Sequence, residues 1–157
     1  MSGRSPKALA GWVALSFVPA VIGAPFPAPS WYRRLRKPAW SPPAWLFGPV
    51  WTLLYALMGI AAWLVAGGRR DGRGPALAAF GAQLALNAAW TPIFFGLRRP
   101  GLALLEIGAT LLAVAATTAL FLRQRPLAGV LLLPYLAWTT FATLLNAEIW
   151  RRNRGLG

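Results

Sequence analysis

Residues 45–66 read WLFGPVWTLLYALMGIAAWLVA, and this stretch decides the fold because it contains no charged side chain. About 20 such residues in a helix cross the roughly 30 Å hydrocarbon core of a bilayer. Four more stretches share this length and apolarity, and they lie at residues 8–24, 75–96, 101–122 and 126–150. The sequence therefore predicts an all-α integral membrane protein, a compact bundle of five transmembrane helices in a single domain.

Composition and charge fit the same class of protein. Hydrophobic residues make up 57% of the 157 positions and charged residues only 12%, more apolar surface than one small soluble core can bury. The net charge of +13 would suggest nucleic acid binding in a soluble domain, but the basic residues cluster between the apolar stretches. We therefore expect the lipid bilayer as a partner, and no nucleic acid. Cysteine and histidine are absent, so we predict no metal site and no required cofactor.

Two further features bear on the place of the chain in the membrane. Residues 8–24 follow Arg4 and Lys7 as a signal peptide would, but the apolar run is long for one and contains an awkwardly placed proline, which favours a helix. Slightly more basic residues fall on the first and third loops and the tail than on the amino-terminal segment and the second and fourth loops. By the positive-inside rule, this predicts a bacterial plasma membrane protein with a cytoplasmic carboxyl terminus.

Residues 31–45 read WYRRLRKPAWSPPAW and form a polar segment between the first two spans. The segment holds three tryptophans, one tyrosine and four basic residues, and its prolines prevent a continuous helix. The rings supply large rigid surfaces suited to a flat ligand or to the membrane interface. We predict a structured ligand lid over residues 25–44, with an aromatic belt and snorkelling cations as the alternative.

The third span presents two different faces at helical spacing. One face is polar and aromatic and comprises Gln83, Asn87, Trp90 and Phe94. Its two amides are costly to expose to lipid, so they should point inward, toward a ligand or toward neighbouring helices. The opposite face carries the small residues Gly81, Ala85 and Ala89. This stripe predicts a homodimer interface or tight packing inside the bundle, because small residues let helices approach closely.

The second and fifth spans repeat the inward aromatic pattern. On the second span one face comprises Trp51, Tyr55 and Met58, and on the fifth one face comprises Tyr135, Trp138, Ala142, Leu145 and Ile149. Ala142 is small among bulky neighbours, which leaves room for a planar apolar guest, although helix packing explains small residues equally well. Three helices that each offer a tryptophan favour a pocket beneath the lid.

Four motifs, taken with their spacing, resemble one known family. They are Trp31-Tyr32-x-x-Leu35-x-Lys37-Pro38-x-Trp40-x-Pro42-Pro43, Trp51-Thr52-x-x-Tyr55-x-x-Met58-Gly59, Asn87-x-x-Trp90 and Pro134-Tyr135-x-x-Trp138-x-x-Phe141-Ala142-x-x-x-Asn146. Over nearly its whole length the chain is similar to the tryptophan-rich sensory protein and translocator protein family, also called TspO or the peripheral-type benzodiazepine receptor. The resemblance implies five transmembrane helices, a frequent homodimer, and a pocket beneath the first loop that binds porphyrins, sterols and isoquinoline or benzodiazepine-type drugs.

The resemblance also implies a set of ligand-binding residues and a function. The matching positions are Trp31, Trp40, Trp51, Asn87, Trp90, Trp138, Ala142 and Asn146, to which the same motifs add Tyr32 and Tyr55. The implied function is a membrane sensor or regulator that binds a protoporphyrin-type tetrapyrrole. One alternative is a light-dependent porphyrin-degrading enzyme, with Trp51 and Trp138 as oxidisable partners. Another is a transporter of porphyrins, sterols or small hydrophobic ligands, although Ala147 stands where the sterol segment of animal members has tyrosine.

The chain offers little for conventional catalysis. Its only acidic residues are Asp71, Glu106 and Glu148, and the sequence shows no pair of them suited to acid–base work. No catalytic residue is therefore assigned. We expect Glu106 and Glu148 to pair with arginines or to extend toward the membrane interface.

Overall fold

Helices make up most of the part of the chain that the computed structural model describes, residues 5–156. The α-helices are α1 Pro6–Ser16, α2 Val18–Gly23, α3 Ser30–Arg33, α4 Ala44–Ala66, α5 Arg73–Thr91, α6 Pro100–Gln124 and α7 Pro126–Asn153. A π-helical turn, Pro92–Gly96, extends α5, and a 3-10 turn, Arg154–Leu156, follows α7. Arg4, which precedes the first predicted span, lies outside the described residues.

Within residues 5–156, five segments are long and apolar enough to cross a bilayer, with mean hydropathies between 1.2 and 1.9. They are Pro6–Gly23, Ala44–Ala66, Arg73–Gly96, Pro100–Gln124 and Pro126–Asn153. The predicted fold class, an all-α integral membrane protein with five transmembrane helices, is confirmed. The last helix runs beyond residue 150, and Glu148 pairs there with Arg151 at 2.6 Å and Arg152 at 2.8 Å, which stabilises its final turn.

Proline and glycine set where several helices begin. Helices α1, α6 and α7 have proline in the first turn, where the missing N–H costs no hydrogen bond. Ser5 caps α1, because its side chain accepts a hydrogen bond from the Ala8 N–H at 3.1 Å. Gly72 precedes α5 with a φ of 73°, a left-handed conformation that glycine adopts without a steric penalty.

The spans form a closed ring. Helix α1 packs on α4, α4 on α7, α7 on α6, α6 on α5, and α5 on α2, which returns to the first span. Short connections predict antiparallel neighbours, and this holds for α5 with α6 and for α6 with α7. Helices α4 and α5 are also joined by a short turn, yet each packs mainly on other helices. At Gly59 a Cβ would lie 2.5 Å from the Val13 Cα, so glycine permits the close approach of α1 to α4.

Two buried hydrophobic clusters fill the ring. The larger one joins the four helices α4, α5, α6 and α7 and includes Met58, Phe80, Phe121 and Tyr135. The smaller one, Phe94, Ala103, Leu145 and Ile149, lies toward the end of α7 and receives side chains from the first loop. The predicted site residues divide between the two clusters: Trp31, Tyr32 and Trp90 pack against the smaller one, whereas Trp51, Tyr55 and Trp138 belong to or pack against the larger one.

The small-residue face of α5 points away from the bundle. Gly81 and Ala85 are exposed and Ala89 is half-buried. A Cβ added at Gly81 would meet nothing within 4 Å. Packing inside the bundle therefore does not explain Gly81 and Ala85, and the homodimer interface remains a prediction.

Candidate functional site

The first loop is folded on itself rather than extended. The Lys37 ammonium donates a hydrogen bond to the Tyr32 carbonyl oxygen at 2.7 Å and lies 4.3 Å from the centroid of the Tyr32 ring. Burial lowers the pKa of Lys37 and raises the pKa of the Tyr32 phenol, because desolvation disfavours the charged form of each group. These contacts give the loop the internal structure that a lid requires.

The loop is fastened to the end of α7 by one side chain. The Arg36 N–H donates to Asn153 Oδ1 at 3.0 Å, and Asn153 Nδ2 donates to the Arg36 carbonyl oxygen at 2.9 Å. Asn153 Nδ2 also donates to the Ile149 carbonyl oxygen at 2.7 Å, which fixes the amide orientation. The loop and the end of α7 consequently lie at the same end of the bundle.

Beneath the loop lies an aromatic group that we name the lid cluster: Trp31, Tyr32, Trp90, Phe94 and Phe95. The Trp90 and Phe94 rings are stacked with centroids 4.7 Å apart, and Trp31 and Tyr32 each lie 5.9 Å from Phe94. Tyr32 also meets Phe95 edge-on at 5.3 Å. Phe94 and Phe95 belong to the π-helical turn, whose extra residue per turn changes the directions of side chains at the end of α5. The lid cluster thus packs the loop against the third span.

Two predicted ligand residues, Trp90 and Asn146, are partners of each other. The Trp90 indole N–H donates to Asn146 Oδ1 at 2.9 Å, and Asn146 Nδ2 donates to the Pro100 carbonyl oxygen at 2.9 Å. Asn146 is buried. Its amide therefore ties α5, α6 and α7 together, and contact with a ligand remains a prediction for it.

A second set of polar side chains, which we name the tyrosine–amide chain, links α4, α5 and α7. The Tyr55 hydroxyl donates to Asn87 Oδ1 at 3.2 Å, and Asn87 Nδ2 donates to the Tyr135 hydroxyl at 2.7 Å. The Tyr135 hydroxyl in turn donates to Gln83 Oε1 at 2.7 Å. Trp51 covers one side of this chain, with its ring 5.4 Å from Tyr55 and 6.2 Å from Tyr135. Asn87 thus bridges helices. The sequence had left two alternatives open for this amide, a ligand or neighbouring helices.

The third group, which we name the loop–α7 cluster, comprises Trp40, Phe47, Trp138 and Phe141. Ring centroids are 5.7 Å apart for Trp40 and Phe141, 5.8 Å for Phe47 and Trp138, and 5.3 Å for Trp138 and Phe141. The Trp138 indole N–H is buried and has no acceptor among the described residues. Trp40 is 50% exposed. Ala142 is half-buried one turn after Trp138.

An open groove of about 610 Å³ lies beside the loop–α7 cluster on the outer side of α7. Its lining includes Trp40, Phe141, Leu144, Ala147, Trp150 and Arg151. Of the predicted ligand residues only Trp40 lines it. The others lie in or beside the three groups described above, with Asn146 bonded to Trp90 and Ala142 one turn after Trp138. Sequence reasoning left Tyr135, Gln83 and Phe141 out of the site, although the first two lie on the faces predicted to point inward.

The two membrane carboxylates differ in their surroundings. Glu148 pairs with Arg151 and Arg152, as predicted. For Glu106 the first of the two expected alternatives, an arginine partner, is not met within the described residues: its Oε1 accepts from the Thr110 hydroxyl at 3.0 Å, and its Oε2 is buried without a partner. Glu106 lies more than a turn inside α6, whereas Arg98 and Arg99 precede that helix, which explains the difference.

A family model and several known proteins match this chain over most of its length. The model of the TspO/MBR family matches residues 8–151. The chain belongs to the TspO/MBR family. It is 46% identical over 142 residues to the tryptophan-rich sensory protein of Cereibacter sphaeroides, which covers 90% of this chain and 89% of that protein.

Other members of the TspO/MBR family are similar at comparable levels. The translocator protein of Homo sapiens is 48% identical over 128 residues, 80% of this chain and 76% of the human protein. Protein CrtK of Rhodobacter capsulatus is 42% identical over 135 residues, 85% of this chain and 84% of CrtK. The family and the five apolar helices together make this an integral membrane protein.

Proposed function

We propose that this TspO/MBR family protein binds a planar anionic tetrapyrrole of the protoporphyrin type and acts as a membrane sensor or regulator. The single observation that carries the proposal is the Trp138 indole N–H, which is buried without an acceptor among the described residues. Leaving such a donor unpaired costs about 1–3 kcal/mol. A ligand that supplies an acceptor would recover this free energy. The Trp63 indole N–H is unpaired in the same way among the described residues, and Trp138 differs from it in belonging to the loop–α7 cluster.

The surroundings of Trp138 suit a flat aromatic ligand. Phe47 and Phe141 flank it, and the half-exposed Trp40 lies over Phe141 at the edge of the loop. A tetrapyrrole ring that slides between the loop and α7 would stack on these rings, each good pair contributing about 0.5–1.5 kcal/mol beyond burial. Its propionates would meet the exposed Arg33 and Arg34 of the loop.

The two asparagines support the site in a different way. Asn87 and Asn146 use their amides to hold α5 against α7, so they fix the spacing of the helices around the ligand. Ala142 would leave room for the guest, because it is the small residue one turn from Trp138 on α7. Substitution of Ala142 by phenylalanine should therefore occupy the space of the ligand without removing any polar contact.

The test is a titration with protoporphyrin in the dark, followed by quenching of intrinsic tryptophan fluorescence. Trp138→Ala and Ala142→Phe should each weaken binding about tenfold or more, a loss of about 1.4 kcal/mol. Trp12→Phe is the matched control, since Trp12 lies on α1 and meets Phe80 of α5 edge-on, with no ring contact to the loop–α7 cluster among the described residues. Wild-type affinity in both site variants, or an equal loss in the control, would contradict the proposal.

A light-dependent breakdown of the bound porphyrin, with dioxygen as the oxidant, is the second candidate function. Trp51, Tyr55 and Tyr135 form a contiguous group of oxidisable rings with centroid distances of 5.4 Å and 6.2 Å, and this observation favours it. The same titration repeated under illumination, with analysis of products, separates the two functions. Loss of product in Trp51→Phe at unchanged porphyrin affinity would support the enzyme.

A further inference from the structure

A second groove lies between the start of α6 and the end of α7, with a volume of about 470 Å³. We name it the arginine groove, and its lining is Arg98, Arg99, Pro100, Gly101, Leu102, Leu105, Trp150, Asn153 and Arg154. It contains none of the ten residues predicted to bind the tetrapyrrole. The residues that line it therefore require an explanation of their own.

None of the three arginines of the groove forms an ion pair with a described carboxylate, although Arg154 also lines the first groove together with Glu148. The chain has only three acidic side chains. Glu148 is held by Arg151 and Arg152, and Glu106 accepts a hydrogen bond from Thr110 on its own helix. Asp71 lies at the other end of the bundle, where its carbonyl oxygen accepts a hydrogen bond from Gln124 at the end of α6. The groove thus concentrates positive charge that the described residues do not neutralise.

The walls of the groove are apolar along α6. Leu102 and Leu105 are 40% and 74% exposed, and they follow the arginines into the span. On the other side Trp150 lies against α6, because a Cβ at Gly101 would stand only 2.8 Å from the Trp150 indole nitrogen. The Arg154 guanidinium lies 4.9 Å from the Trp150 ring centroid, so the tryptophan positions one of the cations.

We infer that the arginine groove binds an anionic phospholipid, with the phosphodiester on the arginines and an acyl chain along Leu102 and Leu105. Guanidinium groups bind phosphate through paired N–H donors. The order of cations, tryptophan and leucines from the helix end into the span matches the order of headgroup, glycerol and acyl chain in a lipid leaflet. Unlike a general basic surface, this arrangement predicts a site of defined residues. The inference is independent of the proposed tetrapyrrole site.

The test compares two variants of equal charge in a neutral detergent. The groove variant is Arg98→Gln, Arg99→Gln and Arg154→Gln; the control variant is Arg69→Gln, Arg70→Gln and Arg123→Gln, three exposed arginines of the opposite end. Binding of dioctanoyl phosphatidylglycerol is measured by native mass spectrometry, with dioctanoyl phosphatidylcholine as the neutral probe. Each arginine near a headgroup contributes about fivefold in affinity. The groove variant should therefore lose about 100-fold in affinity for phosphatidylglycerol, and the control variant should lose little.

Each other outcome has a definite meaning. Equal losses in the two variants, or equal binding of the two lipids by the wild-type protein, would overturn the inference in favour of diffuse charge or simple detergent exchange. Inorganic phosphate is the third probe: if it displaces the lipid completely and Leu105→Asn leaves lipid affinity unchanged, the ligand is a free phosphate. The inference predicts that Leu105→Asn binds the lipid more weakly than the wild-type protein does. It also predicts that inorganic phosphate binds much more weakly than the lipid and that Leu105→Asn does not change phosphate binding. Leu105→Asn also serves if the triple variant fails to fold.

Discussion

Replacement of Asn153 by alanine should release the first loop without unfolding the bundle. The change removes two hydrogen bonds, at 3.0 Å and 2.9 Å, that join the Asn153 amide to the backbone of Arg36. Each such bond contributes about 0.5–1.5 kcal/mol, so loop docking should weaken by about 2 kcal/mol, or about 30-fold in its opening equilibrium. The helices themselves keep their contacts, because Asn153 is the last residue of α7.

A cysteine introduced at Ser41 reports loop opening, since the chain has no native cysteine and Ser41 is half-buried. In the Asn153→Ala background its labelling by a soluble maleimide should accelerate about 30-fold, with little change in the temperature of unfolding. Asn153→Asp is the matched control, because it keeps the acceptor for the Arg36 N–H and loses only the donor. It should give an intermediate rate. An unchanged rate in Asn153→Ala would refute the argument that Asn153 fastens the loop.

Three further predictions concern the bundle. Tyr135→Phe should destabilise the fold by about 1–3 kcal/mol in thermal or denaturant unfolding, because Gln83 and Asn87 each lose a hydrogen-bond partner; a change below about 0.5 kcal/mol would show that the tyrosine–amide chain is not a structural link. Gly81→Leu should lower the fraction of cross-linked homodimer in bilayers while protoporphyrin affinity is retained, since this face points away from the bundle; an unchanged fraction would place self-association elsewhere. Cysteines introduced near the two ends of the chain should label from opposite sides of the membrane, as an odd number of spans requires, and labelling of both ends from one side would contradict the five-span topology.

The sequence predicts the membrane spans well, but it predicts poorly which side chains contact one another between them. Long runs without charge identify the helices, because a charged side chain is costly in hydrocarbon whatever its neighbours are. Helical spacing also predicts which faces of α5 and α7 point inward. It does not predict that Trp90 meets Asn146, or that Asn153 meets Arg36, because those contacts depend on the rotation and depth of helices far apart in sequence.

The π-helical turn after α5 and the inward carboxylate of Glu106 show the same limit. The turn alters the register of Phe94 and Phe95 relative to a regular helix. It begins at Pro92, which marks a disruption of the helix, but a proline alone does not specify a π-helical turn. Glu106 accepts a hydrogen bond on one oxygen from Thr110 of its own helix, whereas the sequence led us to expect an arginine partner or an extension toward the membrane interface. A π-helical turn or a hydrogen bond within one helix can be identified only when the backbone path and the neighbouring side chains are known.

The most direct test of the proposed tetrapyrrole site is the nuclear magnetic resonance signal of the Trp138 indole N–H, assigned by its disappearance in Trp138→Phe. On addition of protoporphyrin in the dark, we predict that this signal shifts and that its exchange with water slows, because the buried donor gains an acceptor. The Trp12 signal should stay unchanged. A shift confined to Trp150, with Trp138 unaffected, would place the ligand in the groove outside α7 and contradict the central claim.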